Sequence, residues 1–155
     1  MLALGACHPA PRPTPILPAR LGWITWSDVN ELVYCNQRLD DAGNRVGVLG
    51  PCWHMTVGEP AKKMLSWLNA GRPDSTPPNA TPWERCSVEL RGGTAILHTP
   101  TETQTLASDA NGRVELSFSP EGKWMAIVHV ALSGGEGERI VEVSAVDVRP
   151  IPACR

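Results

Sequence analysis

The side chains best able to do chemistry in this chain are its cysteines and histidines: Cys7, Cys35, Cys52, Cys86 and Cys154, with His8, His54, His98 and His129. Cys52 and His54 are near neighbours in Cys52-Trp53-His54, the best position for an unrecognised hydrolase or metal-dependent site. Zinc, however, needs several converging ligands, and no C-x-x-C or H-x-x-x-H spacing occurs. No G-x-S-x-G, H-E-x-x-H, Walker or G-x-G-x-x-G stretch is present. Asp28, Asp40 and Asp41 read as turn formers. Gly43-Asn44 and Gly92-Gly93 read as positive-φ positions rather than phosphate loops, because no helix signal follows them. His129 sits in an apolar run and reads as a core histidine bonded to backbone; His98, just before Thr99-Pro100, reads as a strand end. The expectation is a protein that is not an enzyme and has no catalytic residue, metal or cofactor.

Composition narrows the partners. The chain has 155 residues, enough for one domain with a real core. Its 14 basic and 16 acidic residues give a formal charge of −2, and neither sign clusters, so no nucleic-acid surface is predicted. With 14 Gly and 15 Pro, much of it must be turn and loop. No stretch is apolar for long enough to predict a transmembrane helix.

Leu4-Gly5-Ala6-Cys7 resembles the bacterial lipobox, an aliphatic residue and two small residues before a cysteine. Small residues admit the signal peptidase to the backbone, and the thiol becomes a thioether to diacylglycerol. The resemblance implies lipidation of Cys7 and a place in the bacterial cell envelope, facing periplasm or exterior. A complete signal also needs a basic region and about 7–15 apolar residues. Residues 1–7 supply neither, so the expectation is that the signal begins upstream of Met1. Residues 8–20 follow with Pro9, Pro11, Pro13, Pro15 and Pro18. Alternating proline forbids helix and favours polyproline II, a tether of at most about 40 Å.

In an exported chain the other four cysteines read as two disulfides. Leu32-Val33-Tyr34-Cys35 and Val46-Gly47-Val48-Leu49 are strand signals around the turn cluster Asp40-Asp41-Ala42-Gly43-Asn44. Reflection about the Gly43–Asn44 bond places Cys35 opposite Cys52, and Cys86 then pairs with Cys154 by elimination.

The body, residues 21–155, reads as one β-rich domain. Gly22–Ser27 and Glu31–Cys35 are strands about an Asp28-Val29-Asn30 turn. Val114–Ser119 alternates cleanly, Pro120-Glu121-Gly122-Lys123 turns, and Trp124–Val130 is apolar throughout except His129, as a strand buried on both faces would be. Gly134-Gly135-Glu136-Gly137 turns again into Arg139–Val148. Pro60–Asn69 reads as a short helix with Pro60 at its start; a strand is the alternative. Lys62-Lys63 are then solvated charges, and Gly71–Pro82 is a surface loop.

Two units repeat without a gap at an offset of 92 residues: Trp26-Ser27 aligns with Phe118-Ser119, and Leu32–Cys35 with Trp124–Ile127. Phe118-Ser119-Pro120-Glu121-Gly122-Lys123 followed by an apolar strand resembles the blade repeat of TolB-type (WD-repeat-like) β-propellers, with Glu121 where that family carries Asp. The body is too short for a closed propeller. A degenerate blade around Trp83–Leu97 would complete the set. The resemblance implies an all-β fold of antiparallel meanders, as an incomplete propeller or a sandwich. The functional expectation is a non-catalytic lipoprotein held to a membrane and binding a protein partner or completing an assembly.

Overall fold

A computed structural model of the chain describes residues 23–42, 45–64, 82–91, 93–134, 137 and 139–154. The described residues form an all-β protein with no helix. Its strands are β1 (Trp23–Asp28), β2 (Glu31–Leu39), β3 (Arg45–Thr56), β4 (Lys62–Lys63), β5 (Ser87–Arg91), β6 (Thr94–His98), β7 (Thr103–Ser108), β8 (Arg113–Phe118), β9 (Trp124–Ser133) and β10 (Arg139–Pro150). All pairs are antiparallel. Seven strands make one sheet, in the order β4-β3-β2-β10-β9-β8 with β1 also on β2; β5-β6-β7 make a second.

The larger sheet folds over on itself. β3 runs along one side of β2 from Glu31 to Leu39. The other side is shared, β1 taking residues 31–35 and β10 taking Gln37 to Leu39. In a flat sheet β8 would stand two strands, about 10 Å, beyond that side. Instead the Trp26 indole Nε1 of β1 donates to Ser117 Oγ of β8 across 3.1 Å of buried core. The fold-over encloses Ile24, Trp26, Leu32 and Tyr34 with Ala126, Val128, Val130 and Val141.

From Met125 to Val128, β9 is buried on both faces. Its even residues from Ala126 to Val130 enter that core, while Met125 and Ile127 join a second core with Leu97, Leu106, Val114 and Leu116 under the three-stranded sheet. This is why the strand reads as continuously apolar. Phe118 and Trp124 flank the turn and pack on opposite cores. Ser119 knots that turn: its hydroxyl accepts the Lys123 and Trp124 amides at 3.1 and 2.9 Å. Gly122 takes φ 69° and donates to the Ser119 carbonyl at 2.9 Å.

The two aligned segments are both antiparallel hairpins, but their registers differ. Trp26 pairs with Leu32, whereas Phe118 pairs with Met125, one position beyond the aligned residue. Aligned Leu32 and Trp124, and Tyr34 and Ala126, nonetheless face the same core. Two expectations need correction. The first half of the expected Pro60–Asn69 helix is extended: Lys62 and Lys63, both exposed, pair with His54 and Trp53 along the open side of β3. A very short, lysine-bearing strand is a common way to cover such an edge. Residues 65–69 of that expected helix, 71–81 of the expected loop, and the tether lie outside the described residues. Gly93 does not take positive φ. It is required because a Cβ there would collide with the Asp109 backbone carbonyl.

Candidate functional site

Every described histidine lies against a carboxylate, and the three pairs sit in different parts of the fold. The most enclosed is at the junction between the sheets. After β7 the chain turns through Asp109–Gly112 into β8. Asp109 Oδ1 accepts the Asn111 amide at 2.9 Å, a local bond that shapes the turn. The Asp109 amide donates to the Gly93 carbonyl at 2.6 Å. Oδ2 meets His129 Nδ1 of β9 at 3.0 Å. One residue thus ties three parts of the fold: its backbone amide reaches the β5–β6 turn, and its side chain holds the β7–β8 turn and β9. The Asn111 amide and then His129 hold the Asp109 carboxyl below its ordinary value. The reading of His129 as bonded to backbone is corrected here: its ring partner is a carboxylate.

A carboxylate orienting an imidazole is half of a general-base arrangement. The Ser144 hydroxyl lies close in the fold but donates to the His129 backbone carbonyl at 3.1 Å, not to the ring. The pair thus fastens the joint.

The second pair lies on the three-stranded sheet. His98, the last residue of β6 as expected, places Nε2 3.0 Å from Glu89 Oε2, and Arg91 binds the other oxygen. His98 first and Arg91 second hold the Glu89 carboxyl below its usual range. The third pair, His54 Nε2 with Glu31 Oε2, is looser at 3.5 Å. His54 is the imidazole of Cys52-Trp53-His54, and its neighbour Cys52 is disulfide-bonded to Cys35. In that state Cys52 offers neither a nucleophilic thiolate nor a metal ligand.

Both sequence-derived disulfides are present. Cys35 and Cys52 are register partners on β2 and β3, with Cα atoms 4.2 Å apart. Cys86 and Cys154 lie 5.9 Å apart by the same measure and bridge 68 residues. By loop entropy the two contribute about 3 and about 4 kcal/mol respectively. Cys7 lies outside the described residues. No family model, curated protein or solved structure matches the chain.

Among the described residues no three His, Cys, Asp or Glu side chains converge to hold a metal ion. Two buried polar side chains escaped sequence reading. Glu115, only 1% exposed, shares the inward face of β8 with Ser117, and Arg113 Nε lies 3.6 Å from its Oε2. Gln37, also 1% exposed, has neither amide atom hydrogen-bonded among the described residues. The alternation of β8 contained a signal for Glu115: Val114 and Leu116 face one core, so Glu115 must face the other side of a strand that the fold-over encloses. Leu32–Cys35 of β2 and Met125–Val128 of β9 are buried on both faces, and Asp109–His129 joins the β7–β8 turn to β9.

Proposed function

We propose that this chain is a non-catalytic module of the bacterial cell envelope, held to a membrane by a lipid on Cys7 and engaging a protein partner or completing a larger assembly. The observation that carries the reading is the use of cysteine. Cys35, Cys52, Cys86 and Cys154 are all consumed in two disulfides. Disulfides of this kind persist in oxidising, extracytoplasmic compartments. That pairing leaves Cys7 as the odd cysteine, in the one tetrapeptide that resembles a lipobox. A diacylglycerol thioether carries two acyl chains, which suffices for stable anchoring. The proline-alternating residues 8–20 then stand the folded body away from the bilayer.

The test is membrane partition. Exported behind a complete signal, the protein enters the detergent phase, and Cys7→Ser moves it to the aqueous phase with both disulfides intact. Detergent partition that survives Cys7→Ser overturns the anchor. Thiol titration of denatured, unreduced protein addresses the non-catalytic part. No titratable thiol beyond Cys7 is expected; two free thiols would favour a catalytic or metal-binding role instead.

A further inference from the structure

The two disulfides differ in their access to solvent. Cys35 and Cys52 are 0% and 2% exposed, packed with Val33 and Met64. The Met64 amide donates to the Cys52 carbonyl at 2.9 Å, drawing the chain over that bridge. In the other bridge Cys86 is buried at 2%, but Cys154 is half-buried and follows the exposed Ala153.

Residues 151–154 pair with no strand. They are held by the Ile151 amide on the Lys123 carbonyl at 3.1 Å and by the Trp83 indole on the Pro152 carbonyl at 2.8 Å. Ile151 and Cys154 also lie on the core beneath the three-stranded sheet. There Trp83 meets Phe118 edge-on, with ring centroids 5.3 Å apart. Beyond the peptide bond to β10, the Cys86–Cys154 bond fastens this segment covalently to that corner.

We propose that Cys154 is a thiol-exchange site, and that its disulfide is a latch on residues 151–154 that a low-mass thiol opens while Cys35–Cys52 stays closed. Exchange requires a thiolate to reach a disulfide sulfur, so access selects the bond and the atom. The incoming thiolate attacks Cys154 Sγ. A bond forms between that sulfur and the incoming one, the Cys86–Cys154 bond breaks, and Cys86 leaves as a thiolate that takes a proton. A second thiolate attacks the incoming sulfur of the mixed disulfide, releasing Cys154 as a thiolate that is protonated in turn. Two thiols are oxidised to one disulfide, and the protein disulfide is reduced by two electrons. The segment then keeps the Ile151 and Trp83 hydrogen bonds and its contacts on the core.

The probe is reduced glutathione, applied to the folded full chain carrying Cys7→Ser so that no other thiol is present. Samples are quenched with iodoacetamide at intervals and peptide-mapped. Cys86 should become alkylated at least about ten times faster than Cys35 or Cys52, and glutathione should be found on Cys154. Hydrogen exchange on the selectively reduced protein should show lost protection at Ile151, with Ile127 and Val128 of β9 unchanged. Equal rates, prior opening of Cys35–Cys52, or glutathione on Cys86 overturns the site. Unchanged protection at Ile151 after selective reduction overturns the latch. A Cys86→Ser/Cys154→Ser variant should reproduce the loss at Ile151 without thiol. Should that variant not fold, reduction of the native protein still decides.

Discussion

Replacing Gly122 isolates the cost of one backbone conformation. The residue has φ +69°, and a Cβ built on it meets only the Pro82 Cβ, at an ordinary 3.9 Å. No steric term from neighbours enters, so side chains should rank by their tolerance of the left-handed region. Asn, whose short polar side chain bonds locally, should cost a few tenths of a kcal/mol. Ala should cost about 1 kcal/mol and the β-branched Val about 2 kcal/mol. The Gly122 amide bond to the Ser119 carbonyl at 2.9 Å is available to all three variants, as is the Ser119 hydroxyl bond to Trp124. Urea unfolding with disulfides intact measures the series. The midpoint should fall in the order Gly, Asn, Ala, Val with an unchanged slope, since the exposed area on unfolding does not change. If Asn costs as much as Val, space and not φ governs the site. If Val is within about 0.5 kcal/mol of wild type, the turn does not hold this conformation in solution.

Two further outcomes follow from buried and ionised groups. Gln37→Leu should stabilise by about 1–2 kcal/mol, because it removes a buried amide that has no partner among the described residues; a loss of more than about 1 kcal/mol would mean that the amide is satisfied in solution. Asp109 has a folded pKa below its ordinary value, so its contribution is present above about pH 4 and is lost as pH falls through the depressed value. Asp109→Asn should therefore lower the urea midpoint at pH 7 and flatten its decline as pH falls below about 4, whereas an unchanged acid limb would remove Asp109 from the account.

Local chemistry was legible wherever one segment decides the outcome. The Phe118–Lys123 turn needed a hydroxyl acceptor and a glycine, both present in order. The apolar run Trp124–Val130 could only be a strand covered on both faces. The Cys35–Cys52 pair was derived by reflection about Gly43–Asn44, and the partner is right, but the symmetry is only partial. Glu31 to Cys35 keep that reflection, whereas Asn36 pairs with Leu49 and Leu39 with Arg45. Irregularities beside Cys35 and Arg38 take up the difference, one of them at Pro51, which has no amide to give the ladder. Pro60–Met64 was misread because five residues cannot distinguish a helix face from an edge strand; the open side of β3 decided it.

By itself the sequence determined that β1, β2, β8, β9 and β10 are strands, where the Ser119 turn closes, and which cysteines pair, because each depends on neighbours along the chain or on a single hairpin. Only the tertiary structure decided that β8–β10, last in sequence, lies between the other layers. That arrangement turns Glu115 inward, brings Trp26 to Ser117, and sets Asp109 against His129 at the joint between the sheets. Tertiary packing also buries Cys35–Cys52 with Val33 and Met64 while Cys154 stays half-exposed. These are contacts between residues far apart in the chain, and periodicity records which face of a strand is buried but not what buries it.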